Sequence, residues 1–427
     1  LVGSEMCIRD SKVLHTIDER EQICDNCGST MVKVGEEFVR TEVQFIPAKL
    51  KVIDHYRETY ECRSCRKNGT PYMEKAPVPY PPVLHSLASA STITWLIHQK
   101  FELSIPLYRQ EKEWEALGLR LSRATMSNWL LVVYRDWLVH IVHRLKLELL
   151  KQRYLHIDET HVQVLKEPGR KNTSDSYMWV YCSIRDAVNP IRYFEYQPGR
   201  SGKYPEAFLR EYEGYIHTDA YSGYNAVSGV KRCLCYTHLR RAFVDALPKD
   251  IHNSEASKPA EAILRLNQLF NIESELEALP PDQKKKERLI REKPLLEAFW
   301  SWAEKSAIGE LPKSKLSKAF HYALNNREGF WNYLEDGNCS ISNSLAENCI
   351  RPFVIGRKNW LFSGSPKGAE ASAGIYTLVE TAKANGLAPM KYIKYILSDM
   401  PGSAFLEHPE YLDDYLPWNP LVKEFCR

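Results

Sequence analysis

"YLHIDETHVQV", residues 154–164, predicts a β-strand with a carboxylate, Asp158, at the point where its apolar run stops. A second predicted strand, "YIHTDAYSGYNAV" (215–227), carries Asp219 after a similar apolar run. A carboxylate at a strand end can bind a divalent cation and leave the remaining coordination positions open to phosphate oxygens and water. The alternative interpretation is that each aspartate only forms a turn at its strand end.

The segments between these two strands predict how the aspartates are arranged. Residues 176–187 and 191–199 read as two hairpin strands, and residues 203–214 read as a helix. The order strand, hairpin, helix, strand is the opening of a ribonuclease H-like sheet, in which the first and fourth strands lie side by side. Asp158 and Asp219 are therefore expected to meet.

A third carboxylate, Glu347, lies in the stretch "SNSLAENCIRPF" (342–353). Ser342 or Asn343 is expected to cap a short helix there, and Pro352 is expected to kink or end it. Arg351 follows Glu347 by one helical turn, so the two could equally form a surface ion pair.

Two segments contain side chains suited to DNA. Residues 105–130 predict a helix-turn-helix whose first helix ends at Gly118 and whose second begins at Ser122; an ordinary helical hairpin is the alternative. The basic run 282–293 could follow the DNA backbone or form a solvated helix face. The predicted DNA-binding residues are Arg123, Thr125, Ser127, Asn128, Arg351, Arg357, Lys358 and Trp360.

Two Cys-x-x-Cys pairs, Cys24 with Cys27 and Cys62 with Cys65, have the spacing of a zinc ribbon. The alternating apolar residues between the pairs predict strands. Two such pairs favour a structural Zn²⁺ over incidental cysteines or a redox role.

The bulk composition fits a multidomain globular protein. The chain has 427 residues, of which 44% are hydrophobic and 26% charged, with a net charge of +3. The absence of a long apolar run predicts no membrane span, and the spacing of the 11 cysteines favours a reducing cytosol. The first eleven residues resemble a translated sequencing adapter, so the natural protein is expected to begin near Lys12.

The predicted domains follow from these patterns. They are residues 1–11 (adapter-derived), 12–80 (zinc ribbon), 83–150 (helical DNA-binding domain and linker helix), 151–248 with 340–390 (α/β ribonuclease H-like catalytic core), 249–339 (all-helical insertion) and 391–427 (C-terminal tail).

The sequence resembles the large transposase of insertion-sequence family sixty-six. The matching motifs include "HIDET", "IHTDAYSGY", "CYTHLRRAF", "SNSLAENCIRPFVIGRKNWLF", "TAKANGLAP" and "LDDYLPWN", together with the zinc ribbon and "IPLYRQE". The resemblance extends over essentially residues 20–420 in the family's order. It implies a ribonuclease H-like catalytic domain.

The resemblance also implies roles for individual residues. Asp158, Asp219 and Glu347 would form an Asp-Asp-Glu triad that holds Mg²⁺ or Mn²⁺. Cys235 and His238 match a Cys-x-x-His motif, with Arg241 in the same core motif, and are expected to fix the segment between Asp219 and Glu347 to the core. A zinc site made from this cysteine and histidine alone would be incomplete.

The activity implied is metal-dependent cleavage at insertion-sequence ends followed by strand transfer into target DNA by in-line phosphoryl transfer. The alternatives are a ribonuclease H-like nuclease without strand transfer, an inactive DNA-binding remnant and a zinc-dependent interaction module. The expected partner is double-stranded DNA, bound by a homodimer or higher oligomer, with possible small accessory proteins of the same element and no membrane. The expected location is the bacterial cytoplasm, at the nucleoid when bound to DNA.

Overall fold

A computed structural model describes residues 13–40, 49–248 and 257–427, so the adapter-like residues 1–11 lie outside the described part. The chain forms two compact units, residues 1–53 and 54–427. In the first unit, Ile23 and Thr30 form an antiparallel bridge around a tight turn.

The second unit begins with a small hairpin. Strand β1 (Thr59–Glu61) pairs antiparallel with β2 (Met73–Lys75), and helix α1 (Arg63–Lys67) lies between them in sequence. The prediction of strands between the two cysteine pairs is wrong for residues 31–40 and 49–58, which form none. The alternating apolar residues there have no buried face, because their side chains are between 41% and 97% exposed. Examples are Phe38, Val39 and Val52.

The segment from residue 83 to 150 is mainly helical, as predicted. Its helices are α2 (Ala90–Ile97), α3 (Leu107–Ala116), α4 (Arg123–Val133) and α5 (Val139–Leu150). Gly118 adopts a φ of +91° just after α3, a conformation that favours glycine. Ser122 caps α4 by accepting the Thr125 N–H on its hydroxyl at 3.1 Å. A π-helical turn, Tyr134–Leu138, joins α4 to α5 without a break.

A mixed sheet forms the centre of the second unit. Its strands are β3 (Tyr154–Val164), β4 (Asp175–Ser183), β5 (Arg192–Gln197), β6 (Gly214–Thr218), β7 (Val230–Leu234) and the short β8 (Phe362–Ser363). Their spatial order is β5-β4-β3-β6-β7, with β8 paired to the end of β3. β3 is antiparallel to β4 and parallel to β6, so the first and fourth predicted strands do lie side by side. β7 was not predicted.

The remaining helices surround this sheet and continue the chain. They are α6 (Lys203–Phe208), α7 (Tyr236–Val244), α8 (Lys258–Glu275), α9 (Pro281–Ala307), α10 (Lys315–Asn325), α11 (Arg327–Trp331), α12 (Ser344–Trp360), α13 (Pro366–Ala384), α14 (Pro389–Asp399) and α15 (Pro420–Cys426). None of the helices in the described part combines the length and the apolarity that crossing a bilayer requires.

Helix α13 packs directly on the sheet. The hydroxyls of Thr377 and Thr381 accept backbone N–H groups of β5 at 2.8 and 3.0 Å. Small residues allow this close approach. A Cβ at Gly374 would lie 2.1 Å from the Tyr134 ring, so the helix can occupy this position only with glycine there.

The described part of the insertion is helical, as predicted, and its apolar side chains share one core with β7 and α7. The basic run 282–293 is not a uniformly solvated or DNA-facing surface. Arg288 is fully buried, and its guanidinium donates to both carboxylate oxygens of Glu273 at 2.6 and 2.8 Å. It also donates to the backbone carbonyls of Tyr333, Asp336 and Cys339. Arg288 therefore holds the insertion together.

Helix α12 is longer than predicted. It continues through Pro352 as far as Trp360, so Pro352 does not end it. A proline leaves the carbonyl four residues earlier without its helical donor. That carbonyl belongs to Asn348, an exposed residue, so water can satisfy it.

Candidate active site

Asp158 and Asp219 lie at the same end of the pairing between two adjacent parallel strands, β3 and β6, although β3 itself continues past Asp158 to Val164. β3 and β6 are in register up to the pair His156 and His217, and each aspartate lies two residues further on. Parallel strands bring residues at matching positions to one edge. The predicted meeting of the two aspartates therefore follows from the strand register.

Asp158 lies in a concentration of negative charge. Burial, together with the charges of Glu159, Asp219 and Glu347, raises its pKa to about 7. The Glu159 N–H opposes this by donating to Asp158 Oδ1 at 2.9 Å. A cluster of carboxylates with such an excess of negative charge favours a bound cation.

Asn343 positions the helix that carries Glu347. It occupies the cap position of α12, but its side chain turns to β3 instead of capping the helix. Its Nδ2 donates to the Ile157 carbonyl at 2.8 Å, and its Oδ1 lies 2.9 Å from His156 Nδ1. The first turn of α12 is thereby fixed beside the strand segment that ends at Asp158.

Glu347 has an incompletely satisfied carboxylate. Its Oε1 is buried without a hydrogen-bond partner, and the nearest basic atom is His238 Nδ1 at 3.7 Å. Arg351 is exposed and forms no ion pair with Glu347 in the described structure. The alternative of a Glu347–Arg351 surface pair is therefore not what this structure contains. An unpartnered carboxylate oxygen suits a metal ligand.

The Cys-x-x-His motif lies against Glu347. The Asn343 N–H donates to the buried Cys235 Sγ at 3.1 Å. The hydrogen bond with Cys235 raises the pKa of His238. Burial alone would raise the pKa of Cys235, but the hydrogen bonds from His238 and Asn343 lower it. Arg241 is exposed on α7, and its positive charge opposes the rise in the pKa of His238.

Two other groups of ligating side chains come within 4.8 Å of one another. In the first, His217 already uses both ring nitrogens, with Nδ1 donating to Leu155 O and Nε2 accepting the Ser340 N–H. That leaves only Cys233 and Cys339, too few for a metal ion. In the second, Cys235 and His238 are joined to Glu347, but the thiol is already hydrogen-bonded. We interpret the first group as a hydrogen-bonded core cluster, whereas the second leaves Glu347 Oε1 without a hydrogen-bond partner.

The predicted DNA-binding residues of α4 are exposed. Four buried side chains occupy the opposite face of the helix and pack it on the core. The exposed residues are Arg123, Thr125, Ser127 and Asn128. This arrangement suits both a recognition helix and a solvated face.

The predicted DNA-binding residues of α12 have different environments. Arg351 and Lys358 are exposed. Arg357 is partly buried and donates to the His161 carbonyl and to Thr160 Oγ1, so it ties α12 to β3. Trp360 is also partly buried. Its ring packs on Gly356 and lies under Lys100 Nζ, which is 4.8 Å from the ring centroid, so it contributes to the core.

Each cysteine pair of the predicted zinc ribbon forms a tight turn. Gly28 follows the first pair at φ +70° and donates to the Cys24 carbonyl at 2.8 Å. A backbone hydrogen bond from Ser29 lowers the pKa of Cys27, and one from Cys65 lowers that of Cys62. Both effects favour the thiolate that binds zinc.

Sequence reasoning missed two side chains at the carboxylate edge, Glu159 and Arg200. Arg200 lies between β5 and α6 and donates its Nε to Glu159 at 2.6 Å, and its Nη2 lies 3.8 Å from Asp219 Oδ2. No local pattern marks Arg200, because its partners are distant in sequence. Glu159 stood next to Asp158 in "HIDET" but had no predicted role.

Comparison with family models places the chain among the transposases. Residues 85–371 match the model described as "Transposase IS66 family", and residues 21–66 match the "zinc-finger binding domain of transposase IS66". Because the first match spans more than half of the chain, the protein belongs to the IS66 transposase family. The second match contains all four predicted zinc cysteines and supports a structural zinc ion.

Relatives align with nearly the whole chain. "Uncharacterized protein y4hP" of Sinorhizobium fredii is 27% identical over 94% of this chain and 75% of its own length. "Uncharacterized protein y4jD" of the same organism is 26% identical over 94% of this chain and 79% of its own length. The similarity thus includes the zinc-finger, helical and sheet regions.

Proposed function

We propose that this protein cleaves the ends of its insertion sequence and joins the freed 3′ hydroxyl to target DNA by in-line phosphoryl transfer. The observation that carries the proposal is the convergence of Asp158, Asp219 and Glu347 at one sheet edge. The parallel pairing of β3 with β6 supports a ribonuclease H-like core. The raised pKa of Asp158, about 7, supports a site built for positive charge.

The three carboxylates fit a divalent metal. Asp158, Asp219 and Glu347 offer only hard oxygen ligands, which suit Mg²⁺ or Mn²⁺. The unpartnered Glu347 Oε1 is one such ligand atom. When bound, the metal would activate the attacking oxygen and stabilise charge on the leaving one.

Other residues would hold the site and the DNA. Asn343 fixes the first turn of α12 against β3, which sets the position of Glu347. The exposed Arg351 and Lys358 offer positive charge to phosphates near that turn. The exposed face of α4 would bind the duplex at a distance from the cleavage site.

The test is Asp158→Asn in a cleavage and strand-transfer assay. The substrate is a labelled duplex that carries the terminal sequence of the element from which the gene comes, with a plasmid as target. We expect Mg²⁺-dependent cleavage and joined products from the wild type, and a loss of about 1,000-fold or more in the variant. Asp175→Asn, at an exposed position of β4, is the matched control and should retain activity.

Undiminished cleavage by Asp158→Asn would refute the proposed site. Wild-type cleavage that never yields joined products would instead support a nuclease without strand transfer. Wild-type binding without cleavage would support the inactive remnant.

A further inference from the structure

Glu159 is the neighbour of Asp158 on β3, yet its carboxylate is fully engaged within the protein. Its side chain is only 2% exposed. Oε1 accepts Arg200 Nε at 2.6 Å, and Oε2 accepts the hydroxyl of Tyr224. A carboxylate with donors on both oxygens is poorly suited to bind a metal. The residue that Glu159 holds in place is Arg200.

Arg200 is held from several sides at the edge of the carboxylate cluster. Its guanidinium carbon lies 3.9 Å from the ring centroid of Tyr221, and its carbonyl accepts the Tyr221 hydroxyl at 2.6 Å. Its Nη2 lies 3.8 Å from Asp219 Oδ2. Tyr221 in turn donates its N–H to Asp219 Oδ1 at 3.0 Å, so the same tyrosine contacts both the arginine and the aspartate.

The loop of Arg200 is packed closely on the loop that follows Asp219. A Cβ at Gly202 would lie 2.3 Å from the Gly223 carbonyl oxygen, and a Cβ at Gly223 would lie 2.2 Å from the Tyr221 ring. Both approaches require glycine. The position of Arg200 relative to Asp219 is therefore fixed by the backbone as well as by side chains.

Arg288, an arginine that only stabilises the fold, has a different environment from that of Arg200. Arg288 has a fully buried side chain and saturates its guanidinium with a carboxylate and three carbonyls. Arg200 keeps 40% of its side chain exposed, and its Nη1 has no hydrogen-bond partner in the described structure. Its Nε and Nη2 are anchored to Glu159, and Nη2 also faces Asp219, so the unpartnered Nη1 is the donor left for a ligand.

We propose that Arg200 binds a DNA phosphate at the edge of the carboxylate cluster, and that Glu159 is the residue that positions it. This inference rests on the proposed function. The free N–H groups of a guanidinium match the oxygens of a phosphate in spacing and charge. Arg200 supplies positive charge beside Asp219, in addition to the charge that the exposed Arg351 and Lys358 supply on α12, the helix of Glu347.

The experiment compares Arg200→Ala and Arg200→Lys with Arg210→Ala. Arg210 is exposed at the end of α6, so its replacement removes the same charge nearby without touching the cluster. Single-turnover cleavage of the labelled element-end duplex is measured in Mg²⁺. Binding of the same duplex is measured without Mg²⁺, and without a chelator that would remove zinc, at several salt concentrations. Melting temperatures show whether each variant is folded.

We expect Arg200→Ala to lower the cleavage rate by about 100-fold or more, as for removal of one donor to a developing negative charge. Its DNA binding without Mg²⁺ should have a salt dependence that is shallower by about one phosphate contact. Arg200→Lys should recover part of the binding but little of the rate, because an ammonium lacks the fork. Arg210→Ala should resemble the wild type.

A folded Arg200→Lys or Arg200→Ala variant with the wild-type rate and salt dependence would overturn the inference. An equal loss in Arg210→Ala would also overturn it, because the effect would then be general charge. Failure of the proposed function is seen separately, since it requires that the wild type not cleave or that Asp158→Asn retain cleavage.

The role of Glu159 is tested with Glu159→Gln, which preserves shape. We expect a rate loss of about 10-fold with little change in DNA affinity, since the arginine remains but is less constrained. Combining Glu159→Gln with Arg200→Ala should add nothing further to the Arg200→Ala loss, because the glutamate acts through the arginine. Fully additive losses would contradict a positioning role.

Discussion

Glu195 is a buried carboxyl on β5, two strands away from Asp158 in the sheet. Burial raises its pKa to about 7, while Lys146 acts in the opposite direction. A carboxyl whose folded pKa is raised holds its proton more tightly when folded. Its contribution to stability is therefore complete below the unfolded pKa of about 4.3 and declines as the pH rises towards 7.

Glu195→Gln should remove this decline. Wild type and variant are compared by melting temperature between pH 4.5 and pH 8, and the advantage of the variant should grow with pH. Each unit of pKa shift corresponds to about 1.4 kcal/mol, which sets the scale of the effect. Glu206→Gln, at an exposed position on α6, is the control. A melting-temperature difference that stays constant with pH would contradict the expectation.

Individual site residues differ in how far the sequence reveals them. Asp158 and Asp219 could be predicted to approach each other because each follows the apolar run of a recognisable strand. Glu347 could be placed because its helix and basic surroundings are local. Arg200 could not, because its meaning comes from Glu159 and Asp219, which reach it only through the folded sheet. A charged residue in a loop carries no periodic signal.

Helix α13 depends on glycine at one position. Gly374→Ala would place a Cβ 2.1 Å from the Tyr134 ring, so the helix or the ring must move. We expect a destabilisation of about 1–3 kcal/mol from overpacking. Gly368→Ala on the same helix is the control, because its Cβ would meet only Ser365 Oγ at 3.4 Å. Thermal unfolding measures both variants, and equal melting temperatures would contradict the predicted clash.

Helices were easier to predict than strands and helix ends. Ser122 and Gly118 mark their helix boundaries by capping chemistry that acts over a few residues. β7 was missed because its burial alternates over only five residues and Lys231 interrupts its apolar side chains. Pro352 was misjudged because an exposed carbonyl can do without its helical donor. The strands expected between the cysteine pairs did not form because their apolar residues have no core to pack against.

At the scale of the whole molecule, a measurement of bound zinc tests the zinc-finger region independently of the core. Purified protein should contain one zinc ion per chain, and Cys62→Ser should lose it, because a small ribbon depends on its metal to fold. Elemental analysis measures the zinc. Cys426→Ser, in the buried side of α15, is the control and should retain the metal. Full zinc retention in Cys62→Ser would point to other ligands, such as the group around His238.

The order of the zinc-finger, helical and sheet regions along the chain could be predicted, because each region has its own pattern of cysteine spacing or apolar periodicity. The predicted zinc-ribbon domain, residues 12–80, nevertheless crosses the boundary at residue 53 between the two compact units. The insertion could be predicted to be helical, but the burial of one of its arginines could not be predicted. Arg288 lies in a run of charges that looks solvated until Glu273 is seen opposite it.

The unbroken helical run from α4 through the π-turn to α5 has one more consequence. Its three parts contain 11, 5 and 12 residues, and β3 starts only a few residues later. At about 1.5 Å per residue the run spans on the order of 40 Å. It is thus a spacer of fixed length between the exposed start of α4 and the strand of Asp158. A duplex that contacts the exposed start of α4 and also the start of β3 would extend over roughly a dozen base pairs, at about 3.4 Å each.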